Sequence, residues 1–111
     1  MIVFISYPIF DEKKRYRGFV GSAIYLKEKN VINQLLSTNE TYRKSYMYVI
    51  DKNDKIIFHP DHERIGEIIK NNTGLDYIKK QNSGKIRLIN SRGVDNLAGF
   101  SHVKTTNWII V

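Results

Sequence analysis

Apolar and polar residues fall in short blocks along this chain, and the blocks change period several times. Residues 2–10 are dominated by β-branched and aromatic side chains, the composition of a strand. Pro8 within it cannot donate to a ladder, which suits an edge or end position. A polar quartet, Asp11-Glu12-Lys13-Lys14, turns the chain, and residues 16–26 read as a second strand, so the two form a hairpin. Gly18 and Gly21 inside that strand mark a bulge or a close backbone approach.

The period then changes. Val31, Ile32, Leu35 and Leu36 lie at i, i+1, i+4 and i+5, an apolar stripe at helical spacing, and predict a helix over 27–37. Strands are expected at 46–50 and 55–59, joined by the turn-forming run Asp51-Lys52-Asn53-Asp54 and ended by Pro60. Two short helices follow, at 63–70 and 75–81, separated by Asn71-Asn72-Thr73-Gly74, with Gly74 read as the residue just past a helix end. Strands at 85–90, 96–103 and 107–111 close the chain, with turns at Ser91-Arg92-Gly93 and Lys104-Thr105-Thr106. Neighbouring strands with tight turns imply antiparallel pairing. The fold class is therefore α+β: residues 45–111 as one five-stranded antiparallel sheet with the short helices of 63–81 on one face, preceded by a hairpin.

Bulk properties fit one folded domain. The chain has 111 residues, 41% of them hydrophobic and 12% aromatic, which argues against a disordered segment. No apolar run nears the roughly 18 residues of a membrane span, and the start lacks the basic and cleavage signals of a secretory leader. Both ends look cut inside strands. With no cysteine, disulfides, thiol nucleophiles and Cys-based zinc sites are excluded. The net charge of +7 is spread along the chain and fits a solvated basic surface. A nucleic-acid-binding domain is the competing reading, but the basic residues are not gathered on one element and the aromatic strands lack the spacing of base-stacking modules, so no nucleic-acid partner is expected.

The run Tyr48-Val49-Ile50-Asp51-Lys52-Asn53-Asp54-Lys55-Ile56-Ile57-Phe58-His59-Pro60 resembles the signature that opens a Cache module: an aspartate turn, an apolar strand and His-Pro. Ile5 to Asp11, followed by Gly18-Phe19-Val20-Gly21, is similar to the segment that closes the preceding module in double-Cache receptors. Leu97-Ala98-Gly99-Phe100 with Trp108-Ile109-Ile110-Val111 is similar to the family's terminal strand pair.

The resemblance implies a PAS-like fold. Residues 1–26 become the last hairpin of a truncated membrane-distal module, and 27–111 a membrane-proximal module. It further implies an extracytoplasmic sensor of a bacterial membrane receptor, without catalysis of its own. The cytoplasmic output would be a diguanylate cyclase, a histidine kinase or a chemotaxis methyl-accepting domain, with phrasing closest to Gram-positive sensors with a cyclase output. A spacer or dimerisation module without its own ligand is the alternative, and a homodimer is compatible with either. Two positions depart from the pattern. Asp54 stands where the turn glycine is usual, and Ala23 where amino-acid-binding relatives carry an aspartate. An amino-acid ligand is therefore not supported. Asn39-Glu40-Thr41 and Asn71-Asn72-Thr73 match a glycosylation sequon that a bacterial chain does not read.

Candidate chemistry is sparse. His59-Pro60-Asp61-His62 carries two imidazoles and a carboxylate, but with His102 the only other histidine a four-ligand metal site is not expected. No cofactor is expected either, and no hydrolase or phosphate-loop motif occurs. Asp61, Glu63, Arg64 and Arg87 are candidates for a polar pocket, since an arginine fork holds a carboxylate bidentately. The expected ligand site lies between the sheet and residues 60–80, with Arg64 and His102 as polar contacts, Tyr48, Phe58 and Tyr77 as apolar ones, and His59 at the strand end. It would favour a small anion such as a carboxylate.

Overall fold

A computed structural model describes residues 1–37 and 45–111. The first of the two sequons lies outside the described residues. The element order is β1 (Ile2–Phe10), β2 (Tyr16–Tyr25), α1 (Val31–Ser37), β3 (Val49–Ile50), β4 (Ile56–Phe58), a 3-10 turn (His62–Arg64), α2 (Leu75–Lys80), β5 (Ser83–Ile89), β6 (Asp95–Val103) and β7 (Trp108–Ile110). Among the described residues β1 and β2 pair only with each other, and the remaining strands make one antiparallel sheet in the order β4-β3-β7-β6-β5. This is the five-stranded sheet expected for residues 45–111.

Local chemistry fixes the turns. The Asp51 carboxylate accepts from the Asn53 and Lys55 amides at 2.8 and 3.0 Å, and Asp54 adopts a left-handed φ of 63°. Aspartate tolerates that geometry better than most residues, so the β3–β4 turn survives without glycine. Asn90 serves the β5–β6 turn in the same way, its side chain accepting from the Arg92 and Val94 amides. In β2 the register slips opposite Ile9 and Phe10, with Gly18 at φ 129°, which is the expected bulge. The Phe4 ring lies over Gly21, where a Cβ would collide with it.

Two cores sandwich the sheet at its β3–β4–β7 end. Ile50, Ile56, Ile69, Leu75, Ile78, Leu88, Phe100 and Ile109 form the core beneath α2. Leu26, Val49, Ile57, Phe58 and Ile65 form the other, with Ile32, Leu36, Trp108 and Ile110 packed against it. Adjacent strand residues alternate between the cores, as Val49 and Ile50 or Ile109 and Ile110 do, because successive side chains point to opposite faces. The base of the β1–β2 hairpin joins the second core through Val3 and Ile24, while Phe4, Tyr7, Phe10, Tyr16, Phe19 and Val20 stay exposed along its length.

Three local expectations are corrected. The helix expected over 63–70 is only the 3-10 turn, after which the chain runs extended beside β4. Gly66 has a φ of 92°, and the backbone groups of 66–69 bond to Asp54 and Ile56, where a helix would have bonded them to itself. The first helix starts at Val31, not Lys27, because Asn30 and Asn33 cap each other reciprocally at 3.0 Å. Its buried side is Ile32 and Leu36, while Val31 and Leu35 face outward.

Gly74 stands at the start of α2, not beyond a helix end. Its φ of −100° suits any residue; what demands glycine is the Leu88 side chain, whose Cβ and Cδ2 would lie 2.9 and 2.8 Å from an added Cβ. Gly74→Ala is expected to cost about 1–3 kcal/mol as overpacking, read as a lowered urea midpoint.

Candidate functional site

Residues 59–72 leave the end of β4, turn, and return along it, and their polar side chains meet those of residues 46–48 and of the β5–β6 turn. The 3-10 turn begins where the Asp61 carboxylate accepts from the Glu63 amide at 3.2 Å. That cap aims Arg64 inward. Its side chain is only 14% exposed, whereas its carboxylate partner Glu67 is 51% exposed. Arg64 Nε donates to Glu67 at 2.9 Å, Nη2 donates to Ser91 Oγ at 3.0 Å, and Nη1 lies 3.5 Å from His59 Nε2. His59 is buried, and its Nδ1 accepts from the Asp61 amide at 3.0 Å. The Tyr46 and Tyr48 rings flank the imidazole at centroid distances of 5.4 and 6.2 Å.

Tyr46, Tyr48, His59, Arg64 and Ser91, with Asn72, Asn90, Ile56 and Ile69, line a pocket of about 10 Å³. Arg64 and Ser91 also line an open groove on its outer side, together with Glu67, Lys70 and Arg92. The guanidinium thus lines both a small polar pocket and a basic groove. Arg92 pairs with Asp61 at 3.3 Å across the groove's edge.

Burial pushes the His59 imidazole below its ordinary pKa of 6.5, the Arg64 charge adds to this, and the Asp61 carboxylate opposes it. Burial, reinforced by Tyr46 and opposed by Asn72 and Arg64, pushes the Tyr48 hydroxyl up to about 12. A histidine whose folded pKa is depressed contributes full stability above its unfolded pKa and loses it as pH falls through the folded one. Stability is therefore expected to decline as pH falls below about 6.5, and the decline should flatten in His59→Gln, as thermal melts across pH 4.5–8 (roughly the histidine range) would measure.

Of the six candidate ligand residues, the structure gathers Arg64, His59 and Tyr48 around this pocket. His102, on β6, instead donates Nε2–H to the Ile78 carbonyl at 2.8 Å and ties α2 to the sheet. Phe58 belongs to the second core at 3% exposure. Tyr77 stands half-exposed on α2, edge-on to Phe100 at 6.0 Å. Arg87 does not join Arg64: it lies on the open face of β5 and is held by Asp95 at 2.6 Å. Among the described residues, no three His, Asp or Glu side chains gather closely enough to hold a metal. In sequence Asn72 and Ser91 read as turn residues and Asn90 as the end of a strand, and nothing local marks them as pocket walls. Only the sheet order, which carries the β5–β6 turn to residues 59–64, reveals them.

A larger concavity of about 610 Å³ is of another kind. It lies in line with β7, between residues 45–48 and β6 at 96–101. Tyr48 and Val111 exchange backbone bonds of 3.0 and 2.9 Å, and Ser101 faces Ile110, so the concavity opens directly past Val111.

Comparison with known proteins agrees with this architecture. A family model described as Cache domain matches residues 1–111. No curated protein matches the chain. The crystal structure of the periplasmic sensory domain of the Campylobacter jejuni chemoreceptor Tlp1 superposes with a TM-score of 0.71 at 21% identity, over 98% of this chain and 41% of that one. The chain therefore spans less than half of that sensory domain, and the likeness concerns the fold.

Proposed function

The chain belongs to the Cache domain family, and on that premise we propose that it is an extracytoplasmic signal-sensing module of a bacterial transmembrane receptor. The parsing that goes with this reading makes residues 1–26 the closing hairpin of a membrane-distal module and 27–111 the membrane-proximal module. The hairpin's separate two-stranded sheet and exposed aromatic faces support that division. Relay passes to a cytoplasmic output domain, a diguanylate cyclase or a histidine kinase, by a shift between two conformations of the module. The signal is a small anion such as a carboxylate, and the receptor works as a homodimer.

The observation that carries the ligand reading is the unequal Arg64–Glu67 pair. The guanidinium is withdrawn into the module and its carboxylate partner remains outside. A ligand carboxylate arriving through the groove of Lys70 and Arg92 draws the Arg64 guanidinium away from Glu67, an exchange for which arginine's several donors suit it. The spacer reading has its own support, since the pocket behind Arg64 holds room for little more than one water.

A thermal-shift screen of small organic acids separates the two. A ligand at 100 times its dissociation constant stabilises by about 2.7 kcal/mol, so at least one acid is expected to raise the melting temperature by several degrees. Flat melts across the panel would favour the spacer.

A further inference from the structure

We propose that His59 and Arg64 together form a two-donor hole for a single oxygen of an anion, with neutral His59 acting through Nε2–H. This inference rests on the anion reading of the same pocket and adds a specificity-determining residue to it. The argument is one of hydrogen-bond inventory. A neutral imidazole has one donor and one acceptor nitrogen. Nδ1 faces the Asp61 amide at 3.0 Å, and a backbone N–H only donates, so Nδ1 is the acceptor. The proton then sits on Nε2, as the bond made by the other nitrogen dictates. Nε2 lies 3.5 Å from Arg64 Nη1, which is also only a donor.

Two N–H groups thus face each other at 3.5 Å with no acceptor between them. Both residues line the adjoining pocket, whose volume of about 10 Å³ is the size of one oxygen centre. A cation has no place beside Arg64, and a neutral hydroxyl brings its own proton, whereas a carboxylate or phosphate oxygen accepts from both donors at once. The other neighbours of the ring preserve this arrangement. Tyr46 and Tyr48 present their rings, Tyr48 keeps its hydroxyl protonated, and the Asp61 carboxylate is engaged by the Glu63 amide and Arg92.

The test uses the whole chain, labelled with ¹⁵N, and potassium acetate as the probe against potassium chloride. Before any addition, the His59 ring should show the Nε2–H tautomer. Acetate, but not chloride, should then shift both the His59 Nε2–H and the Arg64 Nε–H signals. Two substitutions divide the ring's roles. His59→Gln places an amide N–H near the position of Nε2 and should bind acetate within a few-fold of wild type. His59→Asn replaces the Nδ1 acceptor but does not reach Arg64, and should weaken binding about ten- to a hundredfold, the loss of one hydrogen bond to a charged group.

An Nδ1–H tautomer in the free protein overturns the proposal without any variant. If acetate moves Arg64 while the His59 ring and both variants behave as wild type, the role of His59 falls and the Arg64 reading stands. If acetate moves neither residue, both fall.

Discussion

Ile78→Ala is expected to lower stability by about 2–5 kcal/mol, the range for removing an aliphatic side chain from a packed core. Ile78 is fully buried, and it is where α2 meets the sheet, against Ile50, Ile56, Phe100 and Ile109. α2 has only six residues, too few for a helix to persist in water without tertiary packing. Leu75 shares the core at the helix start, and the polar ties are peripheral: the His102 bond to the Ile78 carbonyl and the Lys79–Asp54 ion pair at 3.0 Å. The latter is partly exposed and contributes little. The loss should therefore exceed the transfer term alone, because the site cannot collapse without shifting the helix. Urea denaturation followed by circular dichroism measures it. A cost under about 1 kcal/mol would mean that α2 is held chiefly by its polar ties.

The second large effect concerns binding. Arg64→Ala is expected to weaken an anionic ligand by about 2–5 kcal/mol, roughly thirtyfold to several-thousandfold, the usual consequence of truncating one partner of a buried charge pair. In the free protein the same substitution relieves the crowding of donors around His59. The imidazole pKa should rise toward its ordinary value, since one of the two main causes of its depression is gone. The two readouts are independent. Calorimetry with an acid that shifts the melting temperature gives the first, and a histidine proton titration gives the second. A variant that binds as tightly as wild type while its His59 pKa rises would show a folded pocket that is not the ligand site.

The fold was legible because its turns advertise themselves. Between two apolar runs the Asp51 side chain bonds local amides and Asp54 takes the left-handed geometry, and between two others Asn90 and Gly93 divide the same roles. The segment after His59 was not legible. Ile65, Ile68 and Ile69 have a spacing a helix would accept, and only the backbone pairing with Asp54 and Ile56 makes the segment extended. Gly74 misled because its requirement comes from Leu88, fourteen residues away, and not from its own torsion angle.

The site divided along the same line. Arg64 and His59 lie five residues apart and were found from local chemistry. Ser91 lies 27 residues from Arg64 and enters only through sheet order. Arg87 could have been set aside from sequence alone, since its place between Ile86 and Leu88 puts it on the outer face of a strand.

The most direct test of the account is a crystal structure of this chain with the organic acid that gives the largest thermal shift. The expected result is a carboxylate in the pocket between the sheet and residues 59–72, one oxygen within about 3 Å of both Arg64 Nη1 and His59 Nε2, with Glu67 displaced from the guanidinium. Ligand density in the gap past Val111 or along the exposed hairpin, with the Arg64–Glu67 pair intact, would contradict it.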